Sequence, residues 1–290
     1  MKTLVFGSLN IDHVYQLDHF VQPGETISSS RYEKHAGGKG LNQAIALAKA
    51  GHETLFAGCI GQDGLFLKEM LERHGVNTDA LSILDMPTGH ALIQVDAAGE
   101  NAIILFGGAN LRQTEEHIDR ALSMLDAGDL VLLQNEINLC PQIIEQATAR
   151  GISVALNPSP LSESLLSWPL EKLTYLILNE IEGEGLTGQR DPQTILDVLL
   201  RRYPECRIVL TLGEQGAWYA DHASRHFQQA FPAEAVDTTA AGDTFTGYFL
   251  HTVLSGNAPQ QALERAAKAA AITVSRPGAA QSIPYDHEVC

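Results

Sequence analysis

A short run of small residues, Ala240-Ala241-Gly242, leads to Asp243 just before a helical pattern over residues 245–254. The first N–H groups of a helix have no partner inside it, and the helix dipole is positive there. Small side chains would let an anion such as a phosphoryl group approach these N–H groups closely. Asp243 would then lie beside that group and accept the proton of an attacking hydroxyl. The alternative interpretation is a tight turn followed by a helix-capping aspartate.

A second glycine-rich turn, Ala36-Gly37-Gly38-Lys39-Gly40, also opens a helical pattern. Gly38 would let a polyhydroxylated ligand touch the backbone. Lys39 and Asn42 lie three residues apart, so both can project from one side of the first helical turn. This pattern favours a binding site for a polar ligand, with a flexible turn and a solvated lysine as the alternative.

Four further segments with acidic residues or glycines follow predicted strands. Asp12 comes shortly after the first strand, where its carboxylate could accept hydrogen bonds from two neighbouring hydroxyls, and Glu136 follows another strand. The pattern Asn179-x-x-Glu182 could hold Mg²⁺ through waters, since Mg²⁺ keeps part of its hydration shell. The segment 211–216 could surround a nucleotide. An ordinary loop aspartate, a polar helix start and a plain turn are the alternatives for these segments.

Short, nearly continuous apolar runs alternate with helical patterns along the chain. Strands are predicted at 4–6, 54–59, 130–133, 153–156, 175–178 and 208–212, and helices at 41–50, 114–124 and 141–151. Such alternation is typical of a parallel sheet covered by helices. Because ligands bind beyond the carboxyl ends of parallel strands, the polar segments above are expected at one edge of the sheet.

Two segments interrupt this alternation, at about 12–36 and at 89–106. The first has no helical stripe, and the second alternates apolar and polar residues on either side of a turn near 98–101, which predicts a hairpin. We expect these segments to form a small antiparallel sheet that acts as a lid. No repeat or linker divides the chain, so a single domain over residues 1–290 is expected.

Composition narrows the class of protein. The chain has 290 residues, 44% of them hydrophobic, and its 19 basic and 35 acidic residues give a net charge of −16, which disfavours nucleic acid and anionic membranes as partners. No apolar stretch is long enough for a membrane span. The four cysteines lie far apart, which argues against zinc and disulfides and predicts a cytoplasmic location. The GxxxxGK[ST] phosphate-binding motif is absent from the chain. A dehydrogenase would carry GxGxxG directly after the first strand, and the segment 7–10 that stands there does not supply it, which disfavours that class.

The chain resembles the PfkB carbohydrate-kinase family, and the ribokinase group within it most, over residues 7–284. The resemblance rests on two signatures, Gly37-Gly38-Lys39-Gly40 with Asn42 and the segment 237–243. Additional similar segments are Asn10-x-Asp12, 23–26, 88–89, 99–101, 108–110 and Asn157-Pro158. It implies an α/β fold, a ribokinase-like three-layer sandwich whose mainly parallel central sheet is flanked by helices, plus a small β-sheet lid. It also implies ATP-dependent phosphorylation of the primary hydroxyl of a sugar, D-ribose to D-ribose 5-phosphate first of all.

The resemblance implies roles residue by residue. Sugar hydroxyls would be held by Asp12, Gly38, Lys39, Asn42 and Glu136, with Asp243 as the base and Ala240, Ala241 and Gly242 as the anion hole. The nucleotide would lie against Thr211, Gly213 and Gly216, and its phosphates and Mg²⁺ near Asn179 and Glu182. A monovalent cation, K⁺, would be held by the side chains of Asp237 and Ser282 and by the carbonyls of Thr239, Thr273, Arg276 and Gly278. Two chains would pair through their lids as a homodimer.

Three residues depart from the ribokinase pattern and leave the choice of sugar open. Leu178 stands in place of a proline, and His90 and Gln94 replace more apolar residues of the lid hairpin. Other furanoses or nucleosides, such as deoxyribose, a fructose or tagatose type sugar or pseudouridine, are therefore alternatives. A nucleoside site should carry an aromatic wall, which is not evident near Asp12. A sugar-binding regulator without turnover would be expected to lose the base or the anion hole.

Overall fold

The computed structural model describes residues 1–289, which form two β-sheets and eight α-helices. The strands are β1 (Thr3–Phe6), β2 (Asn10–Gln16), β3 (Arg31–Gly37), β4 (Thr54–Gly61), β5 (Asn77–Leu84), β6 (Gly89–Val95), β7 (Asn101–Phe106), β8 (Leu130–Gln134), β9 (Ser153–Asn157), β10 (Tyr175–Asn179), β11 (Arg207–Thr211), β12 (Ala217–Ala220) and β13 (Arg225–Gln228). The helices are α1 (Lys39–Lys49), α2 (Leu65–Arg73), α3 (Glu115–Leu122), α4 (Cys140–Ala149), α5 (Glu180–Thr187), α6 (Pro192–Arg202), α7 (Ala241–Leu254) and α8 (Pro259–Val274).

The larger sheet has nine strands in the order β13-β12-β11-β10-β9-β8-β1-β4-β5. It is parallel from β5 to β11, and β12 and β13 are antiparallel additions at one edge. All six strands predicted from apolar runs are present, with bounds that differ by two residues or fewer. They read as continuous apolar runs because both faces of the sheet are buried.

Helices cover both faces of this sheet and create two cores. Leu4 packs into the core shared with α3 to α6, whereas its neighbour Val5 packs into the core shared with α1, α2, α7 and α8. Successive side chains of a strand point to opposite faces, so each buried strand feeds both cores. The expected three-layer sandwich is confirmed.

The predicted helix starts and stops are largely confirmed. The hydroxyl of Thr114 accepts a hydrogen bond from the N–H of His117 and so caps α3, which ends at Leu122, two residues earlier than expected. Pro141 lies in the first turn of α4, and Gly151, with φ of 72°, follows its end. Proline in the first turn and glycine past the end are typical of helix boundaries.

The smaller sheet, which we call the lid, has the strand order β3-β2-β6-β7. The predicted hairpin is present as β6 and β7, and β2 pairs antiparallel with β3. The expectation of a wholly antiparallel lid was wrong, because the two central strands, β2 and β6, are parallel. Both follow parallel strands of the larger sheet, β1 and β5, and therefore leave its edge in the same direction.

Cys59, Cys140 and Cys206 are buried and form no disulfide, and Cys290 lies outside the described residues. Across residues 1–289, every helix is too short or too polar to cross a bilayer.

Candidate active site

The amino-terminal end of α1 lies directly against the carboxyl end of β1. The carbonyl of Ser8 accepts a hydrogen bond from the N–H of Leu41 at 3.1 Å, and the Ser8 hydroxyl accepts one from the N–H of Gly40 at 3.3 Å. A Cβ at Gly40 would lie 2.5 Å from the Ser8 nitrogen, so only glycine permits this approach. The glycine-rich turn therefore places Lys39 and Asn42 at the edge of the sheet.

The helices α1 and α7 also approach each other closely, and this contact brings the two family signatures together. A Cβ at Gly247 would lie 2.5 Å from the Cβ of Ala46. The Asn42 Nδ2 donates a hydrogen bond to Asp243 Oδ2 at 3.0 Å, and Gln43 Nε2 donates one to Asp243 Oδ1 at 2.9 Å. The Asp243 carboxylate is thus held by amide donors on both oxygens.

Three carboxylates converge on this edge. Asp12 lies on the lid strand β2, opposite His35 and Ala91 of the neighbouring strands. Burial raises the pKa of Asp12 to about 6, and the negative charge of Glu136 adds to this, whereas His35 opposes it. The lid therefore contributes a carboxylate to the site, and this carboxylate feels the charge of Glu136, which lies just after β8.

Glu136 links this lid carboxylate to Asp243. It accepts hydrogen bonds from the Ser8 hydroxyl and, at 3.1 Å, from the N–H of Lys39. Burial raises its pKa above the ordinary value, against the lowering effects of Ser8 and Lys39, and the charge of Asp243 adds to the rise. Carboxylates that are at least partly buried and have few donors form a strong acceptor array for hydroxyl groups.

Asn42 has a polar atom that fits the same array. Its Oδ1 is buried without a hydrogen-bond partner in the described part of the chain, while its Nδ2 donates to Asp243. A ligand hydroxyl at this position would satisfy the orphaned oxygen, which otherwise costs free energy.

Residues 238–242, the loop before α7 together with the first two residues of that helix, contain the predicted anion hole and have an unusual backbone, and we call them the anion loop. Ala240 has φ of 61° and ψ of 6°, a left-handed conformation that a non-glycine residue seldom takes. The N–H of Ala241 donates to the carbonyl of Thr238 at 3.3 Å. The N–H groups of Ala240, Gly242 and Asp243 donate to no protein acceptor within residues 1–289. These N–H groups lie at the amino-terminal end of α7, where a helix has no internal acceptor for them and its dipole is positive.

Two adjoining cavities meet at this loop. The smaller, of about 200 Å³, is lined by Lys39, Asn179, Glu182 and Asp243 among others, and the larger has a volume of about 520 Å³. Four residues line both: Thr211, Thr238, Ala241 and Gly242. The arrangement therefore offers one chamber beside the carboxylates and another that a nucleotide base and ribose could fill.

The larger cavity combines predicted and unpredicted walls. One part of its wall is formed by Phe231 and by Gly213 and Gly216, the two glycines predicted to contact the nucleotide. The opposite wall is a stripe of α8 that sequence reasoning did not assign: Ala267, Ala270, Ala271 and Val274. Each of these four residues lies three or four positions from two of the others, so the sequence already placed them on one face of a helix and could have indicated this wall.

Asn179 and Glu182 form the polar helix start that was the alternative interpretation of their pattern, and both also line the smaller cavity. The Asn179 Oδ1 accepts from the N–H of Glu182 at 2.9 Å, and the Glu182 Oε2 accepts from the N–H of Asn179 at 3.0 Å. This reciprocal pair is a capping box at the start of α5. Glu182 also lines the smaller cavity, and its second carboxylate oxygen has no protein donor among residues 1–289.

Most of the predicted cation ligands lie in two loops, the one that precedes α7 and the one that follows α8. Asp237 accepts from the N–H of Thr239 and, across the chain, from the N–H of Gly278, both at 2.9 Å. Burial acts to raise the pKa of Asp237, but these hydrogen bonds outweigh it and lower the pKa below its ordinary value. The Ser282 hydroxyl donates to Ala279, so its lone pairs remain free. Oxygen atoms of this kind suit a monovalent cation.

Thr273 and Arg276, the remaining residues of the predicted cation site, are held by hydrogen bonds to α7 and to the carboxyl-terminal segment. The Thr273 hydroxyl donates to Thr244 of α7 at 3.0 Å, and the Arg276 guanidinium donates to Glu288 at 2.7 Å. Within residues 1–289 no group of three or more His, Cys, Asp or Glu side chains could hold a metal ion. A single carboxylate that lines a cavity, as Glu182 does, could hold Mg²⁺ only if the ion kept most of its water shell.

The residues that depart from the family pattern are structurally accommodated. The His90 ring lies 4.9 Å from Phe106 and 5.7 Å from His13 on one lid face. Gln94 accepts from the N–H of Val21 at 3.3 Å and so holds the loop between β2 and β3. Leu178 is buried at the end of β10 and borders the smaller cavity.

Known proteins are similar to this chain over nearly its whole length. The model of the pfkB family of carbohydrate kinases matches residues 2–286. The ribokinase of Haemophilus influenzae is 35% identical over 303 residues, which covers 99% of this chain and 97% of the relative. The deoxyribokinase of Salmonella typhi is 32% identical over 299 residues, covering 98% and 96% of the two chains.

Solved structures match over the same length. The ribokinase of Cryptococcus neoformans in complex with ADP is 36% identical, with a TM-score of 0.88, and the match covers 99% of this chain and 98% of that one. The ribokinase of Arabidopsis thaliana complexed with ribose and ATP is 31% identical, with a TM-score of 0.88 and coverage of 99% and 97%. Because the family model and these relatives match the chain over nearly its whole length, the chain belongs to the pfkB family of carbohydrate kinases.

Proposed function

We propose that this carbohydrate kinase transfers the terminal phosphoryl group of ATP to the primary hydroxyl of D-ribose, giving D-ribose 5-phosphate and ADP. The observation that carries the proposal is the Asp243 carboxylate, held by two amides where the two cavities meet. Ribokinases at 31–36% identity, one of them solved with ribose and ATP, support ribose as the sugar.

Each side chain has a role in this reaction. The sugar hydroxyls are oriented by the partly buried carboxylates of Asp12 and Glu136 and by the buried Asn42 Oδ1. Lys39 and the backbone of Gly38 complete this set. Asp243 accepts the proton of the primary hydroxyl as its oxygen attacks phosphorus. The open amides of the loop 240–243 stabilise the charge that develops on the transferred group. Closure of the lid excludes water, which would otherwise compete for that group.

We propose that the nucleotide lies in the larger cavity against Thr211, Gly213 and Gly216, with its phosphates toward Asn179 and Glu182. A Mg²⁺ held through waters by Glu182 would supply positive charge to the phosphates. K⁺ would be held by Asp237 and Ser282 and by the carbonyls of Thr239, Thr273, Arg276 and Gly278. A cation beside the anion loop adds local positive charge and orders its amides.

Deoxyribose is the second candidate substrate, because deoxyribokinases are 32% identical to the chain over 98% of its length. An ADP-release assay with Mg²⁺ and K⁺ over ribose, deoxyribose, arabinose, fructose, tagatose and nucleosides tests both candidates. The highest kcat/KM is expected with ribose. A clear preference for another sugar would overturn ribose, and no release with any of them would favour a sugar-binding regulator.

Ribose binding is expected to weaken as pH falls below about 6. The pKa of Asp12 is raised to about 6 in the unliganded site, and its protonated form loses the capacity to accept two hydroxyl hydrogen bonds. The Kd for ribose, measured by calorimetry without ATP, should rise toward tenfold per pH unit below that value. Asp12→Asn should bind weakly at every pH and lose the part of this dependence that comes from Asp12. A wild-type Kd that stays constant from pH 7.5 to 5 would contradict the assignment.

Replacing K⁺ by tetramethylammonium should lower kcat at least about tenfold, since misplaced catalytic groups cost roughly 10²-fold. The same exchange should lower the thermal midpoint of the wild type, because a bound ion stabilises only the folded state. Asp237→Asn should make both quantities insensitive to the salt. Equal rates and equal midpoints in all salts would refute the cation site.

We also propose that the protein is a single-domain, cytoplasmic homodimer. The lid exposes large apolar side chains on its edge strand β7: Ile103, Ile104, Leu105 and Phe106. This exposed apolar surface supports a homodimer that pairs through the lids. The mass of the particle in solution, measured by analytical ultracentrifugation, tests the dimer. The matched range 2–286 supports a single kinase domain. The three unpaired cysteines support a cytoplasmic location, with ATP and a sugar as small-molecule partners.

A further inference from the structure

A network of buried amide side chains runs from the large sheet to the Asp243 carboxylate. Its centre is Gln43, which is 0% exposed and has no role in the reaction described so far. The Gln43 Nε2 donates to Asp243 Oδ1 at 2.9 Å and to Asn157 Oδ1 at 3.2 Å. The Gln43 Oε1 accepts from Gln134 Nε2 at 2.7 Å. Both amide hydrogens and the amide oxygen are therefore engaged.

The orientation of the Gln43 amide is set by groups other than Asp243. Asn157 donates through Nδ2 to the main-chain carbonyl of Ile177 at 2.9 Å, so its Oδ1 must face Gln43. Gln134 presents its N–H to the Gln43 oxygen from the end of β8. A flipped Gln43 amide would place its oxygen against both Asn157 Oδ1 and the Asp243 carboxylate. The sheet thus directs an N–H group of Gln43 at the base.

Gln43 differs in this respect from its neighbour Asn42. Asn42 donates to Asp243 but also has a buried oxygen without a partner in the described part of the chain, which suits a ligand hydroxyl. Every polar atom of the Gln43 side chain is used inside the protein. Gln43 can therefore act on the reaction only through the carboxylate it holds.

We propose that Gln43 is a positioning residue, which fixes the rotation of the Asp243 carboxylate and is itself fixed by Gln134 and Asn157. The inference rests on the proposed function, in which Asp243 accepts the proton of the sugar hydroxyl. Gln134 and Asn157 are the last residues of β8 and β9 and are therefore held in place by the sheet. Through Gln43 they fix the position of Asp243 on α7 relative to the sheet. One oxygen of the base then keeps a lone pair directed at the hydroxyl.

The test compares Gln43→Leu with Gln113→Leu, another buried glutamine that bonds to His117 rather than to the active site. Gln43→Leu should lower kcat about 10- to 100-fold, since an error of about 1 Å in position can cost 10²-fold. Its Kd for ribose should stay within about twofold of the wild type. Gln113→Leu should lose stability but keep kcat. A folded Gln43→Leu with the kcat of the wild type would overturn the inference.

A second variant, Gln43→Glu, decides the question if Gln43→Leu does not fold. The introduced carboxyl would share a proton with Asp243, and like charges at hydrogen-bond distance push one pKa upward. The acidic limb of the kcat–pH profile should therefore move to higher pH. A profile that superimposes on the wild type would overturn the inference. A wild type without ribose-dependent ADP release would instead remove the proposed function itself.

Discussion

Asp243→Asn is expected to leave the protein folded and able to bind ATP but to lower kcat with ribose by about 10²–10⁴-fold. Asparagine has nearly the shape of aspartate, so α7 and its open amides should remain in place. Its side chain cannot accept the proton of the sugar hydroxyl, and that proton is what the carboxylate removes during attack. Single-turnover kinetics and ATP binding by calorimetry measure the two effects separately.

The matched control for this substitution is Asp221→Asn. Asp221 organises the turn between β12 and β13 by accepting hydrogen bonds from the N–H of Ser224 and the hydroxyl of Tyr219. It borders neither of the two adjoining cavities. Loss of that carboxylate should affect stability and leave kcat unchanged. Near wild-type turnover of Asp243→Asn would remove Asp243 from its role as the base.

Gly40→Ala is expected to lower kcat/KM for ribose by roughly 10²-fold and to destabilise the protein by about 1–3 kcal/mol. A Cβ at this position would lie 2.5 Å from the nitrogen and 2.7 Å from the oxygen of Ser8, and 2.8 Å from the carbonyl carbon of Gly7. All three are backbone atoms at the end of a buried strand, so the start of α1 must move instead. Lys39 and Asn42 would move with it. Chemical denaturation and steady-state kinetics measure the two losses.

A glycine in open space provides the control. Gly75 has φ of 82°, and a Cβ added there would have no heavy atom within 4 Å. Asparagine adopts this backbone conformation more readily than other side chains, so Gly75→Asn should leave kcat/KM unchanged and destabilise the protein by only about 1 kcal/mol. A Gly40→Ala protein with unchanged kinetics and stability would show that α1 can retreat from β1 without disturbing the site.

Much of the architecture was predictable from local patterns. The buried parallel strands are short apolar runs, and the turns that follow them carry the polar residues, as in the segment from Gly7 to Asp12. Because parallel strands end at one edge, Asp12, Glu136 and Asp243 could be expected near one another before any geometry was known. The electrostatic effects that link them agree with that expectation.

Other features depend on contacts between distant residues and leave little local trace. The parallel pairing of β2 with β6 follows from where both strands leave the larger sheet. The Gln43 network requires Gln134 and Asn157, which lie 91 and 114 residues away in the chain. Asn179 shows a further difficulty, since a capping box and a phosphate-site residue have the same sequence pattern.

The most direct test of the central claim is to identify the product of ATP and D-ribose in the presence of Mg²⁺ and K⁺. The carboxylate at the junction of the two cavities should direct transfer to the primary hydroxyl, so ADP and D-ribose 5-phosphate should form in equal amounts. A ribose analogue that lacks the oxygen at carbon 5 should yield no ADP above background. Phosphate on any other oxygen, or ADP formation that does not depend on the primary hydroxyl, would contradict the account.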